Sequence, residues 1–205
     1  MPSATIPATY DSRLAEALTR RRYDSAIKPL STVLSFQDLI DANFCKSVSQ
    51  ELAKDGRAWE VRRATPGLWE QIPETPGLYM FVLTSHLRLK MAYPESEVAL
   101  PRALYVGKAG SSNGSGTLRA RYRAEYKHYV CCDPDRLWEE TANSDRKAVL
   151  RKYLNLSPLH YWYLEIAERE TIGRLETSLI KLLNPPLNSQ LVPRMGPRGP
   201  AVPAF

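Results

Sequence analysis

Two short apolar runs that contain glycine constrain the fold of this chain more than any other feature. Gly77 to Thr84 and Ala103 to Lys108 hold β-branched and aromatic residues, which are typical of strands. Side chains alternate between the faces of a strand, so Tyr79 and Tyr105 stand near each other if the two runs pair antiparallel. Glycine weakens a strand and often marks the close approach of another backbone or of a ligand. The runs therefore predict a small sheet that brings two tyrosines together.

The chain downstream of these runs predicts two helices, a third strand and a final helix. In order, these elements are Leu118 to Tyr129, Pro134 to about Leu154, His160 to Ile166 and Thr171 to Leu183. The last helix ends at Pro185-Pro186, because proline cannot continue a helix. The order ββααβα predicts an α+β domain in which a small antiparallel three-stranded sheet is flanked by helices.

Proline and glycine between residues 65 and 75 place a domain boundary there. The chain then divides into a mainly helical extension at 1–70, the α+β domain at 71–190 and a proline-rich, disordered tail at 191–205. Within the extension, Arg13 to Arg22 has a helix-favouring composition and Ser35 to Asp38 has the pattern of a helix start. Trp59 to Arg63 has the pattern of a short strand.

Charge and cysteine content narrow the class of protein. The chain carries 28 Lys and Arg against 22 Asp and Glu, a net charge of +6, which favours polyanion partners and nucleic acid first. Three cysteines, of which Cys131 and Cys132 are adjacent, show no disulfide framework or metal-ligand spacing and indicate a reducing compartment. The first ten residues lack a signal-peptide pattern, and no stretch has the ~18 apolar residues of a membrane span. These features predict a cytoplasmic protein without a membrane partner.

Lys108 is followed by a glycine-rich loop, which raises the question of a nucleotide-binding phosphate loop. That motif needs a glycine five residues before its Gly-Lys pair and a Ser or Thr directly after the lysine. Arg102 and Ala109 stand at those positions. The sequence therefore excludes nucleotide hydrolysis by this route.

Two charged residues lie on apolar helix faces. Arg121 falls on the aromatic face of its helix, where it either serves a site or pairs with Glu125 one turn later. Glu176 lies in the apolar stripe between Ile172 and Ile180, and a carboxylate buried there needs a cation or hydrogen-bond donors. A metal ion, a salt bridge to arginine and exposure at the edge of the stripe are the three solutions. A single carboxylate can hold Mg²⁺ together with waters and phosphate oxygens.

Taken together, Gly77 to Asn188 resembles the GIY-YIG nuclease family, over about residues 75–190. The resemblance is carried by Gly77-Leu78-Tyr79, Tyr105-Val106-Gly107-Lys108, Leu118-Arg119-Ala120-Arg121, Glu176 and Pro185-Pro186-Leu187-Asn188. It implies a small sheet flanked by helices, with the active site on one face of the sheet. It also implies nucleic acid, and first of all double-stranded DNA, as the partner.

By this resemblance, Tyr79 and Tyr105 match the tyrosines of the two tripeptides, and Lys108 matches a basic residue that often follows the second. One tyrosine acts as, or assists, the general base that activates water, and the residues leave open which one. Because tyrosine has an ordinary pKa of ~10, Lys108, Arg121 and the metal have to favour its phenolate.

The remaining matches supply the phosphate and metal contacts. Arg121 matches the helix arginine that contacts the scissile phosphate, Glu176 the single metal-binding glutamate and Asn188 the asparagine after the last helix. From the residues alone, Asn188 also suits an ordinary turn. The implied cofactor is Mg²⁺ or Mn²⁺, which stabilises charge on the leaving oxygen of a hydrolysed phosphodiester.

The chain departs from the family pattern in two places. The tyrosines are further apart than in many members, so Ser85 to Arg102 is an insertion that either contacts DNA or forms a long hairpin loop. Glu125 stands four residues after Arg121, where the family often has His or Tyr. Tyr126 is its neighbour, and a shift of one residue would restore a tyrosine at that place.

The sequence therefore predicts a divalent-metal-dependent endonuclease that hydrolyses phosphodiester bonds, first of all in DNA. The alternative is a noncatalytic nucleic-acid-binding module on the same fold. Residues 1–70 are a candidate surface for a homodimer or for a protein that recruits the nuclease. RNA is the alternative substrate for the same hydrolysis.

Overall fold

The computed structural model describes residues 8–20, 50–83, 88–92, 95–99, 102–110, 116–130, 135, 146–156 and 159–188. Three predictions lie outside these residues: the helix start at Ser35, most of the glycine-rich loop after Ala109 and the tail at 191–205.

The described residues form an α+β fold whose helices and strands are numbered here in chain order. The strands are β1 (Glu60–Arg63), β2 (Gly77–Leu83), β3 (Arg88–Ala92), β4 (Glu95–Ala99), β5 (Arg102–Ala109) and β6 (Leu159–Glu165). The helices are α1 (Ala8–Arg20), α2 (Leu118–Arg121), α3 (Arg146–Leu156) and α4 (Arg169–Leu183). A π-helical turn (Tyr122–Tyr126) continues α2, and short 3₁₀ helices occupy Lys54–Gly56 and Leu68–Glu70. No helix in this part of the chain is long and apolar enough to cross a bilayer.

The main sheet has four strands in the order β1-β6-β2-β5, and every neighbouring pair is antiparallel. The prediction of a three-stranded sheet is therefore wrong by one strand. The additional strand is β1, which confirms the short strand predicted at Trp59 to Arg63 and which pairs with β6 at the edge of the sheet. Its sequence, Glu-Val-Arg-Arg, is exposed along its whole length, so it lacks the apolar signal that marks a core strand.

The insertion at 85–102 contains a separate two-stranded antiparallel hairpin. Strands β3 and β4 pair from Arg88 with Ala99 to Ala92 with Glu95. The hairpin connects the two strands that carry the tripeptides, so it lengthens their connection and leaves their pairing intact. Contact of this hairpin with DNA stays a prediction.

The sheet separates two buried clusters of different chemistry, which we call the tyrosine face and the aliphatic face. The tyrosine face is packed by Tyr79, Phe81, Tyr161 and Tyr163 of the sheet and by Leu118, Tyr122 and Tyr126 of α2 and its π-helical turn. The aliphatic face is packed by Leu78, Met80, Val82 and Val106 of the sheet and by Ile172, Leu175, Leu179 and Ile180 of α4. Alternation along the strands sends odd-numbered β2 residues to the first face and even-numbered ones to the second.

The edge of the sheet at β5 is bulged and covered. Phe81 pairs with Tyr105 and Val82 with Ala103, so Leu104 is the extra residue of a β-bulge. The chain that leaves α4 returns to this edge, where the Leu187 N–H donates to the Leu104 carbonyl over 3.0 Å. A left-handed Asn184 (φ 40°) ends α4 and starts this return.

Candidate active site

The two tripeptides lie side by side in the sheet. Gly77 pairs with Ala109, and Tyr79 pairs with Gly107. A Cβ atom added to Gly107 would lie 2.5 Å from both Cζ and Oη of Tyr79. Gly107 therefore lacks a side chain because the phenol of Tyr79 occupies that space.

Tyr79 is the centre of the tyrosine face. Its side chain is buried, and its ring stacks on that of Tyr161 with centroids 5.5 Å apart. Its hydroxyl lies 2.9 Å from the hydroxyl of Tyr126, and either group can donate the hydrogen bond. Burial raises the pKa of Tyr79 well above its usual value, and the hydrogen bond and nearby Arg121 only partly oppose this. The phenol is therefore neutral at physiological pH.

Tyr126 reaches Tyr79 because of the π-helical turn. The Lys127 N–H donates to the Tyr122 carbonyl over 3.0 Å, a bond that spans five residues where an α-helix spans four. In an α-helix, the fourth residue after Arg121 would lie on the same side of the helix as Arg121. In the wider turn, the fifth residue, Tyr126, takes that place. The shift of one residue considered from the sequence is thus present in the backbone, and the hydroxyl next to Tyr79 belongs to Tyr126.

Arg121 forms an ion pair with Glu125 on the outer side of the same helix. This is the alternative that the spacing of the two residues left open, and both side chains remain partly exposed. The charge of Arg121 is close enough to Tyr79 to act against the rise of the tyrosine's pKa. Arg121 therefore lies beside the tyrosine network while its guanidinium is held by a carboxylate.

Tyr105 differs from Tyr79 in its exposure to solvent. Its ring is only partly buried, and its centroid lies 6.1 Å from that of Tyr79. The guanidinium carbon of Arg146, from α3, lies 5.0 Å from the centre of the Tyr105 ring. Sequence analysis missed Arg146, because no local pattern signals a contact between residues so distant in the chain.

Glu176 is paired with a lysine. Its Oε2 atom lies 2.8 Å from Nζ of Lys108, with the glutamate side chain 13% and the lysine side chain 38% exposed. A Cβ atom on Gly173, one turn before Glu176, would lie 3.7 Å from the same ammonium, so the lysine packs against a helix position without a side chain. A cation thus compensates the carboxylate, and that cation is Lys108 and not the arginine considered from the sequence.

The residues around Glu176 define what kind of metal site is possible there. In the described part of the chain, no three His, Cys, Asp or Glu side chains form a metal-binding group. A lone carboxylate suits Mg²⁺ or Mn²⁺ only when water and substrate phosphate oxygens complete the coordination. Glu176 fits that arrangement if Lys108 shares or releases its carboxylate.

Asn188 is bound to the backbone of β5. Its Oδ1 accepts from the Val106 N–H over 2.7 Å, and its Nδ2 donates to the Val106 carbonyl over 2.7 Å. The side chain therefore acts like a peptide group of a further strand and holds the edge of β5 between Tyr105 and Lys108. Both polar atoms of the amide are used by this contact.

The six residues singled out from the sequence surround β5, but they do not share one face of the sheet. Tyr79 and Tyr105 lie on the tyrosine face, whereas Lys108 meets Glu176 on the aliphatic face. Lys108 is three residues after Tyr105, an odd number, so alternation along β5 sends it to the other side. The expected single-face site is replaced by two groups that flank an edge strand.

Comparison of the chain with protein-family models, with curated proteins and with solved structures found no match.

Proposed function

We propose that this protein is a divalent-metal-dependent endonuclease that hydrolyses phosphodiester bonds in DNA, on a fold like that of the GIY-YIG nucleases. The observation that carries the proposal is the meeting of the two tripeptides in register. Gly107 makes room for the phenol of Tyr79, and Tyr105 stands beside it at an accessible position. Lys108, which follows Gly107 on the same strand, forms an ion pair with Glu176.

The two tyrosines take different roles in this proposal. Tyr105 is the one that activates or orients the attacking water, because it is partly exposed to solvent. Tyr79 is a positioning residue, because burial keeps its phenol neutral and its hydroxyl is bonded to Tyr126. The neutral hydroxyl pair of Tyr79 and Tyr126 would hold the Tyr79 ring, which lies 6.1 Å from that of Tyr105, without placing a charge in the core.

The charged residues act on the phosphate. Arg121 contacts the scissile phosphate, for which its guanidinium has to exchange Glu125 for phosphate oxygens. Lys108 lies on the other side of β5, so it would have to turn from Glu176 around this edge strand to reach the same anion, while Asn188 keeps β5 in place. A Mg²⁺ or Mn²⁺ ion held by Glu176 would supply charge stabilisation for the leaving oxygen.

A noncatalytic nucleic-acid-binding module is the second candidate, and one observation favours it. Both charges that catalysis requires are neutralised within the chain, Arg121 by Glu125 and Glu176 by Lys108. A module that only binds nucleic acid can keep both ion pairs intact, because neither Arg121 nor Glu176 has to contact a reacting phosphate.

Plasmid cleavage with and without EDTA tests the proposal. The wild-type protein is compared with Glu176→Gln and with Glu170→Gln, a matched control at an exposed position of the same helix. Tyr105→Phe and Tyr79→Phe form a second pair. We expect cutting that depends on Mg²⁺, is abolished by Glu176→Gln and Tyr105→Phe, and survives Glu170→Gln.

Two results would contradict the proposal or its assignment of roles. DNA binding without cutting in wild-type protein would leave the noncatalytic module as the function. Cutting that tolerates Tyr105→Phe but not Tyr79→Phe, in a protein that remains folded, would transfer the water-activating role to the buried tyrosine.

A further inference from the structure

A half-buried tryptophan beside the π-helical turn holds two cations. Trp69 lies in the 3₁₀ helix Leu68–Glu70 and packs against the cluster of the tyrosine face. The guanidinium carbon of Arg123 lies 4.8 Å from the centre of its ring, and Nζ of Lys127 lies 5.5 Å from it. Two side chains one helical turn apart are thus held against one aromatic surface.

These two cations differ from the others on the same helical segment. Arg119 is bound to Glu74 over 2.7 Å and donates to the Ile72 carbonyl, and Arg121 is bound to Glu125. Within the described part of the chain, neither Arg123 nor Lys127 forms an ion pair with a carboxylate. Among the described residues their positive charge therefore has no carboxylate partner, and it lies on the same helical segment as Arg121.

We propose that Trp69, Arg123 and Lys127 form a docking surface for the phosphate backbone of a nucleic-acid duplex. A guanidinium and an ammonium held against one ring suit an anion with closely spaced charges, and less side-chain entropy is lost when both engage. Contacts of this kind set the register of a duplex without reading its sequence. Arg123 and Arg121 are two residues apart and therefore lie on different sides of the helical segment, so the surface would hold the duplex beside the helix that carries Arg121. The proposal rests on the proposed function only for the choice of nucleic acid as the polyanion.

The test is equilibrium binding of a fluorescent DNA duplex over a range of salt concentrations. The double variant Arg123→Gln/Lys127→Gln is compared with Lys54→Gln/Lys181→Gln, which removes the same charge from two exposed positions elsewhere. We expect the first to lower the slope of log affinity against log salt by about two and the second to leave that slope unchanged. Equal slopes in the two double variants, or no duplex binding by the wild-type protein, would overturn the proposal.

The role of the ring is tested separately, because Trp69→Leu keeps every charge. We expect about a two- to five-fold loss of affinity for this variant, the loss that a weak cation–π contact represents. Trp69→Phe, which retains an aromatic face, should recover most of the affinity. Thermal unfolding of both variants shows whether they are folded, and a folded Trp69→Leu protein with wild-type affinity would remove the ring from the surface.

Plasmid cleavage separates failure of this inference from failure of the proposed function. Metal-dependent cutting by wild-type protein, with no change of salt slope in Arg123→Gln/Lys127→Gln, sustains the nuclease and rejects the surface. A reduced slope in a protein that never cuts DNA sustains the surface and rejects the nuclease.

Discussion

The two faces of the sheet hold polar groups in opposite ways. On the tyrosine face, hydroxyl groups are buried among aromatic rings and stay neutral, as burial raises the pKa of Tyr79, Tyr126 and Tyr161 well above the usual value. On the aliphatic face, charge is kept at the rim, where Lys108 and Glu176 pair over 2.8 Å while both keep some contact with solvent.

The difference shows how one strand can carry buried neutral phenols on one side and a charged pair on the other. Neutral phenols tolerate deep burial when their hydroxyls are bonded, whereas a buried charge would need full compensation. Side chains alternate along β5, so Tyr105 on one side and Lys108 on the other are only three residues apart. Because β5 is an edge strand, both sides are within reach of solvent. The predictions that follow test each half of this contrast, from the largest expected effect to the smallest.

Alkaline pH should unfold the protein by ionising the buried tyrosines of the tyrosine face. The three buried tyrosines have folded-state pKa values raised above the unfolded value of ~10, so their stabilisation is complete below pH ~10 and is lost as pH rises above it. Each contributes a loss of about 1.4 kcal/mol per pH unit, or about 4 kcal/mol per unit together. Tyrosinate absorbance and far-ultraviolet circular dichroism are followed against pH, and the part of the absorbance that belongs to the three buried tyrosines should appear together with the loss of the dichroism signal. Ionisation of all tyrosines with an intact dichroism spectrum would contradict the prediction.

Gly107→Ala and Gly173→Ala should change stability in opposite directions. The new Cβ at Gly107 meets the phenol of Tyr79 at 2.5 Å, so we expect a loss of about 1–3 kcal/mol from overpacking. The new Cβ at Gly173 meets Lys108 Nζ at an ordinary 3.7 Å within a helix, so we expect a gain of up to ~1 kcal/mol. Urea unfolding of both variants makes the measurement, and destabilisation of equal size in both would remove the contrast between the faces.

Removal of one hydroxyl from the Tyr79–Tyr126 pair should cost more than removal of both. Either single change to Phe leaves a buried hydroxyl without its partner at 2.9 Å, at about 1–3 kcal/mol. The double variant leaves none and should lie within about 1 kcal/mol of wild type. A double-mutant cycle of urea unfolding measures the coupling. Strictly additive losses would mean that the two hydroxyls do not depend on each other.

The Lys108–Glu176 pair should matter more for stability than the more exposed ion pair between Arg174 of the same helix and Glu51. Lys108→Met leaves a carboxylate that is only 13% exposed without its cation, and we expect a loss of about 1 kcal/mol. Arg174→Met breaks an ion pair with Glu51 in which the arginine is 62% exposed, and we expect no measurable loss. Thermal unfolding at low and high salt compares them, and equal losses would show that burial of Glu176 has no energetic role.

Tyr161→Phe should have the smallest effect, and in the stabilising direction. The Tyr161 hydroxyl is buried without a hydrogen-bond partner among the protein atoms of the described residues. Its removal relieves an unmet desolvation cost, for which we expect a gain below about 1 kcal/mol. Urea unfolding of this variant beside Tyr79→Phe makes the comparison, and a clear loss in Tyr161→Phe would reveal a partner for its hydroxyl.

The sequence predicted the bounds of the buried elements closely, and it predicted a short strand at Trp59 to Arg63 without showing that this strand joins the sheet. The predicted last strand, His160 to Ile166, is β6 at Leu159–Glu165, and the predicted last helix is α4 at Arg169–Leu183. Apolar periodicity identifies such elements because each buries one face. The fourth strand, β1, buries none of its residues, so only its hydrogen bonds to β6 reveal it as part of the sheet.

The sequence named the candidate site residues but did not predict which of them contact one another. Sequence alone determined which residue types are present, and the glycine and tyrosine pattern correctly placed Tyr79 beside the second tripeptide. Only the tertiary structure decided that Glu176 meets Lys108 and that Asn188 binds the backbone of Val106. It also decided that Tyr126, and not Glu125, reaches the buried phenol. Periodicity is a local property, whereas these contacts depend on strand parity, on one wider helical turn and on the return of the chain to an edge strand.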